Sequence, residues 1–350
     1  MSEVMRFALI GAGAIGKIRA DALAKSQDCE LVAVADLDEA RARGVAPGAR
    51  YYGTPEELIA AQDVDAVIIS TPPPLHEPLA VAAASAGKHV LVEKPMAATP
   101  EACERMILAA RKAGTLLTVG YNHRYFEGLK LVRDVVASGE IGTLSHVRAY
   151  TGHSGLAEFK AEWMYDKKVM GGGALMDNGT HVTDLVRYIM GEATEVFGLA
   201  TNKVWKLGVE DEGIALLRTA DGTTASIEAS WHEWRGYRFH IEAYGDRGMA
   251  RAYYAPMMAT VVKLNKPGGS KSVQRYFYPK TILREKLKGW QSTVIQTFVE
   301  ELTDFIAAAK GRPHSGRLAV ATDGLRAVQI AHAAYASELS RECVRLPALP

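Results

Sequence analysis

A short apolar run, Arg6–Ile10, passes directly into Gly11-Ala12-Gly13-Ala14-Ile15-Gly16. No other segment constrains the fold as much. A buried strand has to end there, the chain has to turn tightly, and a helix has to begin, because glycines permit conformations and close approaches that side chains forbid. The same rhythm continues downstream. Arg6–Ile10, Leu31–Ala35, Ala66–Ser70, His89–Val92 and Leu116–Val119 are short and rich in valine, isoleucine and leucine, as parallel strands covered on both faces are. Helical segments fall between them, including Ile15–Lys25, Leu79–Ala86 and Pro100–Lys112. Thr99 suits the cap of the last, with Pro100 at its first helical position. Gly87 and Gly114 stand where helices should stop. Residues 1–122 therefore read as a doubly wound parallel sheet with helices on both sides.

After residue 123 the pattern changes. A helix over Leu129–Ser138 leads through Gly139 to a strand over Leu144–Thr151. A second long helix is expected over Ala174–Met190, stopped by Gly191. Strands then follow one another directly: Thr194–Thr201, Gly213–Thr219, Thr223–Ser230, Phe239–Tyr244 and Val261–Leu264, with Asp221-Gly222 as a tight hairpin turn. Successive strands without helices imply a mostly antiparallel sheet. Thr293–Ala309 and Arg317–Leu339 read as closing helices, and Lys266–Lys271 as an exposed loop. The fold class expected is α/β, with a dinucleotide-binding domain over 1–122 and a second α/β domain over 123–350. A chain of 350 residues is long for one core, which agrees with two domains.

Bulk properties exclude several classes. A net charge of +1 gives no footing for an electrostatic nucleic-acid binder. No apolar stretch is long enough to span a membrane, and the N-terminal apolar run is too short for a signal peptide. Cys29, Cys103 and Cys343 are dispersed and form neither a disulfide framework nor a zinc motif, which fits a reducing, cytoplasmic setting.

The glycine turn has the context that makes it informative: a strand before, a helix after, and an acid, Asp36, about twenty residues on. Gly11 permits the turn, Gly13 lets the backbone approach a pyrophosphate, and Gly16 lets the helix pack on the strand. With Ala14 and Ile15 they place free N–H groups and a partial positive charge before the phosphates. Asp36 can accept hydrogen bonds from ribose hydroxyls and would repel a 2′-phosphate, so NAD is favoured. Arg41 and Arg43 lie nearby and keep NADP open. Thr71 and Pro72 open a rigid proline loop at another strand end, read as a wall beside the cofactor, with His76 following in that wall.

Two further segments carry chemistry. Lys94 ends the run His89–Val92 on the crevice side, between Glu93 and Pro95, which restricts it towards extended backbone. It can polarise a substrate oxygen or share its proton. Asp177, His181 and Asp184 are spaced to share one face of the second long helix. Gly171-Gly172-Gly173 ahead of them favours close approach to a ligand. A histidine near neutral pKa suits removal of a hydroxyl proton, and Asp177 could bind substrate or orient the imidazole. The rival reading is a metal site, which no cysteine or second histidine at ligand spacing supports.

These residues together resemble the glucose–fructose oxidoreductase/inositol dehydrogenase (Gfo/Idh/MocA) family over essentially the whole chain. The resemblance rests on Gly11–Gly16, Ser70-Thr71-Pro72 with His76, Gly87–Pro95, Gly120-Tyr121-Asn122-His123-Arg124, and Gly172–Asp177 with His181 and Asp184. It implies a Rossmann domain followed by an α/β domain with a large open sheet, a common dimer or tetramer interface. It implies Lys94 and His181 as the catalytic pair and Asp177 as substrate-binding or orienting. Glu93 and Asn122 would lie by the cofactor, and Arg124 by nicotinamide and substrate or in a structural ion pair. Some members carry tyrosine at the histidine position; this chain keeps His181. His153, Trp163, His232 and Tyr237 are candidate substrate contacts. The expected reaction is reversible hydride transfer between a nicotinamide and a secondary alcohol of a sugar, cyclitol or sugar derivative. The alternatives are an NAD-dependent glycosidase of the same fold and a non-catalytic nucleotide-binding regulator.

Overall fold

The structure is a computed structural model that describes residues 4–157, 161–254 and 256–350. The chain folds as two compact units. The first comprises the chain up to Tyr125 with Arg284–Leu325, and the second Phe126–Leu283 with Arg326–Pro350.

The first unit opens with β1 (Met5–Ile10), α1 (Ala14–Leu23), β2 (Cys29–Ala35), α2 (Glu39–Val45), β3 (Arg50–Tyr52), α3 (Pro55–Ala60) and β4 (Ala66–Ile69). It continues with α4 (His76–Ser85), β5 (His89–Val92), α5 (Pro100–Ala113) and β6 (Leu117–Val119). Its six strands pair in the order β3-β2-β1-β4-β5-β6, all parallel. The order reverses between β1 and β4, and this is where an open α/β sheet leaves its ligand crevice. Thr99 caps α5 by accepting from the Ala102 N–H, and Gly114 closes that helix in the left-handed region.

The second unit holds α6 (Glu127–Ala137), β7 (Leu144–Gly152), α7 (Lys167–Met170) and α8 (Gly179–Met190). The strands β8 (Ala193–Thr201), β9 (Glu212–Thr219), β10 (Thr224–Ser230), β11 (Arg238–Gly245), β12 (Gly248–Tyr254), β13 (Met258–Leu264) and β14 (Lys271–Phe277) follow. The chain then forms α9 (Pro279–Lys288), α10 (Gln291–Ala309), α11 (Ala321–Ser340) and β15 (Val344–Arg345). Among the described residues the sheet has nine strands, ordered β14-β13-β12-β11-β7-β10-β9-β8-β15. It is antiparallel except where β10 runs parallel to β7. Gly222, at φ +92, makes the turn between β9 and β10.

Some expectations need correction. Residues 284–325 return to the first unit, so a single cut after residue 122 does not describe the chain. The reason is apolar: Phe298, Leu302 and Phe305 of α10 complete the core formed by Phe7, Leu9, Ile68 and Leu91. Phe305 meets the Phe7 ring at 5.6 Å. The last long helix starts at Ala321 rather than Arg317, because Ala319 and Val320 pair with β6 instead. Strands β3, β12, β14 and β15 are not among those expected from the sequence. Strand β14 is exposed on both faces, so it carries no hydrophobic alternation to read.

Candidate active site

The glycine turn leaves β1 with Gly11 at φ +93, and a Cβ there would lie 2.7 Å from the Ser70 carbonyl oxygen. A Cβ on Gly16 would lie 2.0 Å from the Gly11 carbonyl oxygen, so α1 can seat on the turn only with glycine. A Cβ on Gly13 would meet nothing within 4 Å. Gly13 is also the N-cap of α1, where no side chain caps the helix, so its first N–H groups face an open position suited to an anion. A cavity of about 520 Å³ opens here, lined by Gly13, Ala14, Lys17 and Arg41 among others.

Asp36 sits just past β2. Its Oδ2 accepts the Ala12 N–H at 2.6 Å and its Oδ1 the Asp38 N–H at 2.9 Å. The carboxylate therefore ties the glycine turn to the β2 loop. Arg41 stands 3.7 Å from Asp36 and 3.5 Å from Asp38. Past β4, the Ser70 and Thr71 hydroxyls are buried with no hydrogen-bond partner among the described residues. Buried hydroxyls seldom stay unsatisfied. An uncapped helix start, an open Gly13, an acid at the β2 end and two unsatisfied hydroxyls fit a bound dinucleotide.

His76 does something more specific than line a wall. Its Nε2 lies 2.7 Å from the Thr71 carbonyl and its Nδ1 3.0 Å from that of Pro95, tying the loop after β4 to the loop after β5. Burial holds its pKa below the usual histidine value.

Lys94 follows β5, half-buried, with a cis bond to Pro95. Glu93 beside it takes the Arg19 Nε–H at 2.7 Å. Arg19 is fully buried, is paired also with Glu301 and lies 3.6 Å over the Phe298 ring. Burial, and then the nearby Lys94 ammonium, hold His123 down to about 3, so a neutral imidazole attends this lysine. In the sequence His123 is marked only by its place in the run Gly120–Arg124. Asn122 donates to Thr297 of α10 at 2.9 Å. Arg124 is buried against Asp323 at 3.2 Å and reaches the Leu318 carbonyl at 3.4 Å. Of the two roles open to Arg124, the structure shows the ion pair.

In the second unit α8 begins at Gly179, so Asp177 stands in the turn ahead of the helix rather than on its face. The helical ladder fails there because the Gly179 N–H reaches back five residues to the Ala174 carbonyl at 2.8 Å. The glycines before it answer to the protein itself. A Cβ on Gly173 would lie 2.0 Å from the Glu210 carbonyl oxygen, and one on Gly172 would lie 2.1 Å from the Tyr335 hydroxyl.

Asp177 is the hub of the constellation. Its Oδ2 lies 3.0 Å from His153 Nε2 and accepts the Trp231 indole N–H at 3.3 Å. The Gly155 N–H donates to His153 Nδ1 at 3.0 Å. His153 therefore carries its proton on Nε2 and gives it to Asp177. Tyr165 packs edge-on to Trp231, 5.3 Å between ring centroids. Burial, helped by the Asp177 charge, pushes its phenol up to about 12. Desolvation and the same charge also raise Tyr237. His181 and Asp184 follow on α8, both buried. Trp163 is 40% exposed on a short turn, and His232 pairs with Glu212 at 2.9 Å. The structure thus gathers His153 and Tyr237 about Asp177 and adds Tyr165 and Trp231. Trp231 directly follows β10, and no sequence signal marked it.

Among the described residues no group of three or more His, Cys, Asp or Glu side chains is arranged to hold a metal ion. No helix among them is long and apolar enough to cross a membrane.

Comparison with known proteins agrees with this architecture. Residues 5–121 match the oxidoreductase family with an NAD-binding Rossmann fold, and residues 129–251 match the GFO/IDH/MocA C-terminal domain. The chain is 31% identical to myo-inositol 2-dehydrogenase of Thermotoga maritima, over 98% of each chain. It is 28% identical to inositol 2-dehydrogenase of Burkholderia lata, over 96% of this chain and 94% of that one. The solved structure of levoglucosan dehydrogenase with NADH superposes with a TM-score of 0.88 at 25% identity, over 99% of this chain and 100% of that one. GenD2 from gentamicin A biosynthesis, in complex with NAD, gives 0.80 at 27% identity, over 99% and 98%. The chain belongs to the Gfo/Idh/MocA family and is an NAD-binding oxidoreductase acting on CH–OH groups.

Proposed function

We propose that this oxidoreductase converts a secondary alcohol of a sugar, cyclitol or sugar derivative to the ketone, reversibly, with NAD preferred over NADP. When bound, NAD supplies the hydride acceptor. The glycine turn from Gly11 to Gly16, Asp36, and the Ser70 and Thr71 hydroxyls would hold it, with Pro72, Glu93 and Asn122 shaping the surroundings. His181 takes the proton of the reacting hydroxyl. The Lys94 ammonium stabilises the negative charge that builds on that oxygen. Asp177 accepts a hydrogen bond from a substrate hydroxyl, flanked by His153 and Tyr237.

The observation that carries this reading is the Asp177 constellation. A carboxylate, an imidazole of fixed tautomer and an indole N–H converge four residues ahead of His181. A ring that carries many hydroxyls needs both acceptors and donors, and an aromatic surface for its C–H face. Trp231 and Tyr165 offer that surface. Relatives named as inositol and levoglucosan dehydrogenases support the substrate class.

The test is an NADH-absorbance screen with myo-inositol, levoglucosan and a panel of sugars and cyclitols, each with NAD and with NADP. Reduction of NAD by at least one polyol is expected. Absence of turnover with every polyol, while NAD still binds, would remove the substrate class. Glycoside cleavage without net NADH would transfer the protein to the glycosidase reading, and equal use of NADP would show that Arg41 overrides Asp36.

The open face of the nine-stranded sheet is proposed as a self-association surface. Leu199 and Leu216 are exposed there on neighbouring strands. Leu216→Lys should lower the mass measured by light scattering if that face joins copies of the chain.

A further inference from the structure

The turn that carries Asp177 is held by a residue far from it in sequence. Three successive backbone N–H groups, those of Gly173, Ala174 and Leu175, are all received by Glu210. Its Oε2 accepts Gly173 at 2.7 Å, its Oε1 accepts Leu175 at 3.0 Å, and its main-chain carbonyl accepts Ala174 at 3.1 Å. The Tyr335 hydroxyl of α11 donates to the same Oε1 at 2.6 Å. Glu210 is only 8% exposed. The turn then closes on itself, with the Asp177 N–H bonded to the Gly173 carbonyl at 2.9 Å. The next residue along, Asp211, accepts the N–H groups of Val204 and Trp205 at 2.8 and 2.7 Å, and its carbonyl accepts the Trp231 N–H at 2.8 Å. One dipeptide thereby anchors both the turn that bears Asp177 and the segment that bears its indole partner.

We propose that Glu210 is a positioning residue: its buried carboxylate, braced by Tyr335, fixes the turn from Gly173 to Asp177 and so sets where the Asp177 carboxylate stands against His153. The proposal rests on the reading in which Asp177 meets substrate. The chemistry requires a carboxylate at residue 210. Two N–H donors and one O–H donor point at two oxygens, and a carboxylate accepts all three. A glutamine of the same shape has one acceptor oxygen, and its NH₂ group would confront a backbone N–H. The Gly172 and Gly173 positions leave no room for the turn to drift towards Tyr335 or the Glu210 main chain, so losing the grip moves the turn away from them.

The test uses the full chain, Glu210→Gln and Tyr335→Phe, and it has two readouts. The first is long-range ¹H–¹⁵N spectra of histidine-labelled protein, with the His153 signal assigned by His153→Gln. The wild type should show His153 protonated on Nε2 with Nδ1 as acceptor. In both variants this signal should shift or exchange faster, while His76 and His123 of the first unit stay in place. The second readout is kinetic, with whichever polyol the wild type oxidises. The fall in kcat/KM should be about a hundredfold for a displacement near 1 Å, carried by KM or kcat while the NAD Kd changes less than about twofold. An unchanged His153 signal in a folded variant overturns the proposal, and if Glu210→Gln does not fold, Tyr335→Phe decides it. The spectra need no substrate, so a wild type that oxidises no polyol defeats the functional reading and leaves this test standing.

Discussion

Lys94 and His123 are close neighbours in the first unit, and each makes a prediction. The lysine is half-buried at the end of β5, and the buried histidine beside it is held neutral. Lys94→Met keeps the length of the side chain and removes the ammonium. Turnover should fall by on the order of a hundredfold, while NAD titration stays near wild type because the glycine turn and Asp36 are untouched. Normal turnover would make Lys94 an ordinary strand-end lysine. His123 makes a second, thermodynamic prediction. Its pKa is about 3 in the fold and about 6.5 in an unfolded chain. Between those values the unfolded state binds a proton that the native state does not, so stability falls as pH falls from about 6.5 towards 3. The slope from this one group reaches about 1.4 kcal/mol per pH unit. His76, also lowered by burial, adds in the same direction. Urea midpoints between pH 7.5 and 5 should fall with acidification in the wild type and less steeply in His123→Asn. An equal slope in both would place the proton uptake elsewhere.

At the scale of elements, the glycines separate two kinds of constraint that sequence alone treats alike. Gly16 is pressed against the Gly11 carbonyl, whereas Gly13 faces open space. Gly16→Ala should therefore destabilise the first unit by about 1–3 kcal/mol, since backbone has to move. Gly13→Ala should leave the melting temperature nearly unchanged and weaken NAD binding, because its Cβ enters the space where the pyrophosphate would approach. Equal melting losses in the two variants would show that Gly13 is structural as well. The run from Gly171 to Gly173 teaches the same lesson from the other side. It reads in sequence as room for a ligand. In the fold, Gly172 and Gly173 make room for Tyr335 and Glu210, and Gly171 turns the chain at φ +80.

At the scale of the whole molecule, the return of residues 284–325 to the first unit determines what is buried there. Helix α10 brings Phe298, Phe305 and Glu301 onto the face of α1 that carries Arg19. Arg19 holds Glu93 and Glu301 at once, next to the lysine-bearing strand end. Removing the cation would strand two buried carboxylates. Arg19→Met should therefore cost about 3–5 kcal/mol in urea or thermal denaturation. A loss below about 1 kcal/mol would mean that water or neighbouring groups replace the guanidinium.

The residues that local chemistry dictates were legible from sequence. Five of the six Rossmann strands announced themselves by their apolar runs, and the half-exposed β3 did not. The turn at Gly11–Gly16 announced itself because only glycine fits at its two ends, Gly11 and Gly16, and the α5 boundaries because Thr99 and Gly114 have local reasons to be caps. Lys94 stood out as a polar group at a strand end, and Asp177 and His181 as a polar stripe on a helix that in the fold begins only at Gly179. Contacts between residues distant in the chain left no local trace. Glu210 reads as one acid in the run Glu210-Asp211-Glu212, and only folding brings its two oxygens to the N–H groups of Gly173 and Leu175. Arg19 lies mid-helix in α1 like any surface arginine until α10 covers it. The sheet partner of β14 and the true start of α8 were hidden for the same reason. A pattern of hydrophobicity records which face of an element is buried, but a hydrogen bond between residues 35 positions apart is decided by the tertiary path that joins them.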